Sequence, residues 1–323
     1  MSHLNRSQLS NDKTPVGLSV PVLAYHKIDG GFELGVNSIS PEVFDRQMRF
    51  LAEHGYTTIT VDRFIQAIDS FPLQQKDSEG HSLPSSQSPQ NSIPRRKLED
   101  NNRTPYPPSR GVSTCERQEE FNLPLRSIMI TFDDGYEDFY TSAQPILVKY
   151  GLTATVFVLA GYIGKLNKWD VRLRPRQSRH LTSKQIQILF DKGFGIASHG
   201  MHHCFLTRCN EANTRLELWE SKAILENLLH HPVHSFAYPY GCANPKVAER
   251  VKSAGYRVAF GLKPNKAMAP NSIYSYPRMA VYRCDTLSTF QAKLGLRGQF
   301  RFKLERMKNS VINRFAYLNR LRH

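Results

Sequence analysis

Apolar positions along this chain alternate between runs that suit buried strands and stripes that suit helices. Residues 20–25 (Val-Pro-Val-Leu-Ala-Tyr) form an apolar run that leads to His26 and predicts a strand. Ser40 then stands as an N-cap with Pro41 at the first helical position, and Phe44, Met48 and Leu51 recur at helical spacing until Gly55 closes the helix. Residues 57–61 (Thr-Thr-Ile-Thr-Val) are β-branched, which predicts a second strand with a helix after it. Past residue 125 the alternation continues. The spacing predicts a strand ending at Thr131, a helix over 138–150 stopped by Gly151, and a strand over 153–159. It then predicts a helix capped by Thr182 and running to about 192, on which Ile186, Leu189 and Phe190 are apolar, and a short strand over 195–198. A helix over 211–230, a strand over 235–238, a helix over 245–254 and a strand over 256–260 complete the series. Such alternation implies an α/β fold with a mostly parallel sheet, open or closed.

Residues 70–125 break this pattern. They carry eight of the chain's 19 prolines among Ser, Gln, Asn and charged residues, with no apolar periodicity. The composition predicts a disordered insertion extruded from a loop, at little entropic cost because loop closure depends only logarithmically on length. Residues 1–18 are expected to be a flexible N-terminus. With 323 residues and 40% hydrophobic content, the remainder can bury one large core.

The formal charge of +15 is concentrated at the C-terminus, where residues 291–323 hold nine Lys or Arg against the single acid Glu305. Leu304, Met307, Val311, Phe315 and Leu318 recur there at intervals of three, four, four and three, which predicts a basic amphipathic helix. Such a stripe docks on its own domain or lies on an anionic membrane surface. No nucleic-acid-binding motif accompanies the charge, so no specific nucleic-acid partner is expected. The five cysteines are odd in number and lack CxxC pairs, which argues against a disulfide framework or a thiolate metal site. No apolar leader opens the chain and no run of about 18 apolar residues occurs, so a cytoplasmic or peripherally membrane-associated chain is expected, with secretion open if translation starts upstream.

Candidate chemistry follows the strands. Residues 127–136 (Ser-Ile-Met-Ile-Thr-Phe-Asp-Asp-Gly-Tyr) end a buried strand in two adjacent carboxylates, Asp133 and Asp134, at a glycine turn. Neighbouring side chains on extended backbone point to opposite faces, so one carboxylate can bind a metal while the other serves as a base. An isolated Asp-Asp-Gly is more often a solvated turn. Here His199 and His203 follow, four positions apart, and then residues 236–241 (Phe-Ala-Tyr-Pro-Tyr-Gly). All lie just past the C-terminal ends of predicted strands, where parallel α/β folds keep their active sites. His202 reads as a bystander, Trp169 and Trp219 as packing residues, and Tyr238 and Tyr240 as candidates for lining a groove.

In these motifs the chain resembles the polysaccharide deacetylases of carbohydrate esterase family four, over residues 19–290 without the insertion. The resemblance implies a distorted, incomplete (β/α) barrel. It implies that Asp133 is the catalytic base and that Asp134, His199 and His203 ligate a divalent metal. The family pattern His-[Ser/Thr]-x-x-His has Gly200 at its hydroxyl position here, and the family's Pro-[Tyr/Phe]-Gly is Pro239, Tyr240 and Gly241. The arginine usual two residues before that proline is Ala237, and Arg278 is placed in the chain to replace it. This variant, together with the opening Tyr25, His26, Lys27 and Ile28, resembles the branch acting on β-1,6-linked poly-N-acetylglucosamine. There a first-strand histidine is the general acid, which maps to His26. The N–H of Tyr240, after Pro239, is expected to share the oxyanion.

Three N/O ligands leave coordination positions open, as catalytic sites do. Two imidazoles and a carboxylate suit Zn, with Co or Ni as alternatives. The sequence thus predicts a metal-dependent hydrolase that removes N-acetyl groups from an N-acetylglucosamine-containing polysaccharide or glycoconjugate. Alternatives are a catalytically silent carbohydrate-binding or membrane-associated protein on the same fold, and a small-molecule amidohydrolase.

Overall fold

The computed structural model describes residues 20–31, 37–70, 123–167, 177–262, 268 and 272–320, with side chains to residue 309. Most of the 70–125 segment, residues 1–18 and Trp169 lie outside the described residues.

Strands β1 (Val22–Tyr25), β2 (Lys27–Ile28), β3 (Ser38–Ile39), β4 (Thr57–Thr58), β5 (Ser127–Phe132) and β6 (Thr155–Val158) are followed by β7 (Gly195–Ser198), β8 (Ser235–Ala237), β9 (Val258–Gly261), β10 (Tyr276–Pro277) and β11 (Met279–Ala280). Eight of them pair in the order β10-β9-β8-β7-β6-β5-β1-β11, every neighbour parallel. The two ends of this path are consecutive in the chain and separated only by Arg278. The sheet is therefore curled into a nearly closed barrel whose seam is two strands of two residues each. That agrees with the expected distorted barrel. β1, β6, β7 and β8 are buried along their whole length, because helices cover one face and barrel side chains fill the other.

Helix α1 (Pro41–Glu53) starts as expected, with Ser40 Oγ accepting from the Val43 N–H at 3.4 Å, and it buries Phe44, Met48 and Leu51. The strand expected over 57–61 stops at Thr58. Thr60 instead accepts the Arg63 N–H through its hydroxyl at 3.2 Å, so it caps α2 (Val61–Ser70), and capping overrides the β preference of its side chain. The helix expected over 138–150 divides into a π segment, Phe139–Ala143, and α3 (Gln144–Lys149). Thr182 and Gln185 form a capping box on α4 (Ser183–Asp191). The helix expected over 211–230 consists of α5 (Glu211–Arg215), a π segment Leu216–Glu220 and α6 (Ser221–Leu229). α7 (Pro245–Ser253), α8 (Leu287–Lys293) and α9 (Gly298–Arg320) follow.

Among the described side chains of the C-terminal helix, the apolar stripe is exposed. Leu304 is 46% and Met307 60% exposed, while Glu305 and Asn309 are buried. Asn309 Nδ2 donates to the Ala280 carbonyl at 3.1 Å, and Lys293 Nζ reaches the same oxygen at 2.7 Å while pairing with Asp285. Polar groups, rather than the stripe, therefore fasten α8 and α9 to the barrel seam. Val311, Phe315 and Leu318 lie past the described side chains. Among the described residues no helix is long and apolar enough to cross a membrane.

Candidate metal centre and catalytic carboxylate

The C-terminal ends of β1, β5, β7, β8 and the seam carry the residues singled out above. β5 delivers Asp133 and Asp134 in succession, and both are buried. The Asp133 N–H donates to the Tyr25 carbonyl at 2.9 Å, which extends the β1–β5 ladder by one residue and faces the Asp133 side chain into the barrel. Asp134 then turns with φ +73°, and Gly135 follows with φ +66°. Neither conformation suits an ordinary L-residue, so the strand breaks at the point where its carboxylate is needed.

Asp134, His199 and His203 converge, with one potential ligand atom from each lying within 4.8 Å of the others. Asp134 Oδ1 lies 3.4 Å from His199 Nε2 and 3.4 Å from His203 Nε2, and it accepts no hydrogen bond. Two donors each about 2.1 Å from a tetrahedral zinc would stand about 3.4 Å apart. The residues present therefore fit a divalent ion, which would satisfy an otherwise orphaned buried oxygen. His199 Nδ1 lies 2.8 Å from the Ala237 carbonyl, which can only accept, so the proton sits on Nδ1 and the Nε2 lone pair faces Asp134. Burial alone would raise the Asp134 carboxyl, but His203 and His199 hold it well below the usual carboxylate range. Burial alone would lower His199, and Asp133 and Asp134 raise it instead.

His180, which carries no motif, was missed in the sequence. Its Nδ1 lies 2.9 Å from the Asp134 carbonyl and its ring stacks on Tyr136 at 4.7 Å, so it supports the turn that presents the ligand. The nearest sequence signal was its place two residues before the predicted helix cap Thr182.

Asp133 is held by Arg278, whose Nη1 and Nη2 reach its two oxygens at 2.7 and 2.8 Å. Nη1 also donates to Thr131 Oγ1 at 3.1 Å, and the guanidinium sits over the Phe157 ring at 5.2 Å. An arginine from the barrel seam thus occupies the place beside the carboxylate that Ala237 leaves without one. Burial pushes Asp133 up, but Arg278 and then His199 bring it below its ordinary value, so it stays ionised.

His26 is partly buried at the end of β1. Burial, the largest influence, leaves the His26 pKa below its ordinary value although the carboxylates of Asp134 and Asp133 raise it, which places His26 within the electrostatic reach of the site. Pro239 and Tyr240 form a tight turn in which Tyr240 has φ +60°. The Tyr240 ring lies 4.3 Å from the His203 ring and stacks on Phe205 at 3.9 Å. Tyr238, expected in a groove, is instead buried in the core with its hydroxyl donating to the Tyr274 carbonyl at 2.9 Å. Trp219 packs partly buried against the core, and His202 stays outside the ligand cluster with its side chain 52% exposed.

Asp134, His203 and Tyr240 are three of the five non-glycine residues with positive φ among the described residues. Strain of about 1–3 kcal/mol each persists only where the surroundings over-determine it, and here it gathers at one site.

At the strand ends of the barrel a buried Asp/His/His cluster that could hold a metal ion therefore stands beside an arginine-held carboxylate. A family profile described as "Polysaccharide deacetylase" matches residues 122–259. This stretch, which contains both carboxylates, both ligand histidines and the Pro-Tyr-Gly turn, is similar to the polysaccharide deacetylase family. Members of that family are hydrolases acting on the C–N bond of N-acetyl groups. The chain is 25% identical over 83% of its length, and 74% of the relative's, to YxkH of Bacillus subtilis (strain 168), whose name places it in the same family. It is 31% identical over 49% of its length to a poly-beta-1,6-N-acetyl-D-glucosamine N-deacetylase of Staphylococcus aureus (strain MRSA252), of which it spans 56%. The polysaccharide deacetylase BC0361 from Bacillus cereus shares its fold, with a TM-score of 0.58 at 23% identity over 85% of this chain and 68% of that one. IcaB from Ammonifex degensii does so with a TM-score of 0.55 at 19% identity over 86% and 96%.

Proposed function

We propose that this chain is a metal-dependent N-deacetylase of N-acetylglucosamine polymers, with β-1,6-linked poly-N-acetylglucosamine as the favoured substrate class. The observation that carries the reading is the pairing of a convergent Asp134/His199/His203 cluster with an ionised carboxylate held by Arg278. The 31% identity to a staphylococcal poly-β-1,6-N-acetylglucosamine deacetylase supports the substrate class. Zinc suits two imidazoles and one carboxylate best, with cobalt or nickel able to replace it.

Asp134, His199 and His203 hold the ion. When bound, a divalent cation supplies Lewis acidity, lowering the pKa of a water towards about 7 and polarising the acetamide carbonyl. Asp133, fixed in its rotamer by two guanidinium hydrogen bonds, accepts the proton of the attacking water at a carboxylate oxygen. The Tyr240 N–H donates to the developing oxyanion. His26 in its protonated form gives a proton to the leaving glucosamine nitrogen, because an unprotonated amine leaves poorly. Tyr240 and the stacked Phe205 offer an aromatic surface beside the site on which a sugar ring can lie.

Acetate release from a panel of N-acetylated oligosaccharides, with and without added Zn or Co, tests this reading. Release from β-1,6-linked N-acetylglucosamine oligomers that depends on added metal is the expected result. Metal-independent release, or activity confined to small amides, would contradict it.

A further inference from the structure

Glu217 is buried against the loop that joins the two ligand histidines and takes no part in the chemistry above. Its Oε2 accepts from the Met201 N–H at 2.7 Å and from the His202 N–H at 3.1 Å. Its Oε1 lies 3.1 Å from the same His202 nitrogen and 3.2 Å from His202 Nδ1. Both amides belong to the stretch that separates His199 from His203, so one carboxylate pins the chain that sets the distance between the imidazoles.

Gly200 makes room for it. A Cβ at position 200 would stand 2.6 Å from Glu217 Oε2, and the residue has φ +91°. The Gly200 N–H donates to Ser198 Oγ at 3.2 Å, that hydroxyl lies 3.2 Å from Ser221 Oγ, and Ser221 Oγ donates to the Glu217 carbonyl at 2.6 Å. Side chain and backbone of Glu217 therefore both reach the ligand loop. Glu217 lies in the π segment Leu216–Glu220, where the wider turn interrupts the helical register and brings the carboxylate inward.

We propose that Glu217 is a positioning residue for the metal ligands, and that it and Gly200 form a matched pair. The carboxylate replaces, from the following helix, the hydroxyl that the family pattern carries at position 200. Hydrogen bonds from amides to an ionised acceptor are roughly twice as strong as neutral ones. They hold residues 200–203 in the conformation that brings His203, with its φ of +60°, into line with His199 and Asp134. This inference rests on the reading that the site binds a divalent metal.

The test is a double-mutant cycle read as zinc affinity. The dissociation constant of Zn would be measured by competition with a chromophoric chelator for the full chain and for Glu217→Ala, Glu217→Gln, Gly200→Ser and Gly200→Ser/Glu217→Ala, with the melting temperature of each metal-free protein alongside. Removing such a supporting group typically weakens metal binding about 10–100-fold, which is the loss expected for Glu217→Ala, with a smaller one for Glu217→Gln. Gly200→Ser should weaken binding because its side chain meets Oε2. The double variant should bind more tightly than Gly200→Ser alone, since the collision is gone and a hydroxyl is restored to the loop. A Glu217 that only stabilises the fold would lower the melting temperatures, leave the Zn constants unchanged and give additive losses, and that result overturns the proposal. Should Glu217→Ala fail to fold, unchanged Zn affinity in Glu217→Gln overturns it equally. If the unaltered chain bound no Zn, the metal reading itself would fail. If it bound Zn and both Glu217 variants bound as tightly, only the positioning role would fall.

Discussion

Asp133 and Arg278 form a buried ion pair joined by two hydrogen bonds, so the base cannot be altered without leaving a buried guanidinium under-compensated. Breaking such a pair costs about 3–5 kcal/mol. Asp133→Asn should therefore bind metal, lose deacetylation by about 10²–10⁴-fold and also melt earlier than the parent. The same pair sets an acid limit on stability. The folded carboxyl titrates below its unfolded value of about 3.9, so its stabilising contribution is complete above that pH and is lost as pH falls through the folded value. Urea unfolding between about pH 4 and pH 2 should show a steeper loss of stability in the parent than in Asp133→Asn, and equal slopes would count against the assignment. His26 is tested by leaving group. His26→Ala should lose most activity on acetamides whose amine needs a proton and much less on an activated ester. An equal loss on both would remove His26 as the proton donor. Asp133, Asp134, His199 and His203 were legible from short motifs because neighbouring positions had to carry complementary chemistry. Glu217 and His180 were not, since each acts on main-chain groups of distant residues and leaves no local signature.

At the scale of elements, the sequence pattern located the longer strands and most helices, while the two-residue strands β2, β3, β10 and β11 and the breaks inside helices escaped it. Two helices expected to be continuous contain π segments, Phe139–Ala143 and Leu216–Glu220, because a one-residue widening does not disturb an apolar stripe enough to be read. Thr60 misled in the other direction, since its β-branched side chain is also a good cap. The helix expected over 291–323 is α9 over Gly298–Arg320, preceded by the separate α8, and at Leu304 and Met307 its apolar stripe is exposed. Its buried positions are polar, chosen by the carbonyl of Ala280 at the seam rather than by apolar burial. That seam is the structural support of Arg278, which stands two residues before Ala280. Lys293 pairs with Asp285 with both side chains fully buried, so Lys293→Met should destabilise the protein by up to about 3–5 kcal/mol, because Asp285 would keep only the more distant Lys308, at 3.5 Å, as a cationic partner. Urea unfolding would measure it, and a change below about 1 kcal/mol would mean that the pair does not anchor the seam.

For the whole molecule, the barrel brings together five chain segments, at His26, Asp133 and Asp134, His199 to His203, Pro239 and Tyr240, and Arg278. A mostly parallel sheet was implied by β/α alternation and its barrel form by the family resemblance, but closure beside Arg278 was not legible, because two strands of two residues have no periodicity to detect. The low-complexity stretch within 70–125 supplies none of these residues. Deleting about residues 75–120 should leave melting temperature and activity close to those of the full chain, and loss of activity with normal metal content would make the stretch part of the site. The central claim is that one divalent ion, held by Asp134, His199 and His203, is required for deacetylation. Titrating Zn into the metal-free protein while following acetate release from an N-acetylglucosamine oligomer tests it most directly. Activity should rise linearly to a break at one equivalent in the parent and in His202→Ala, and stay at baseline in Asp134→Ala and His203→Ala. Full activity before any metal is added, or an unchanged titration in His203→Ala, would contradict the account.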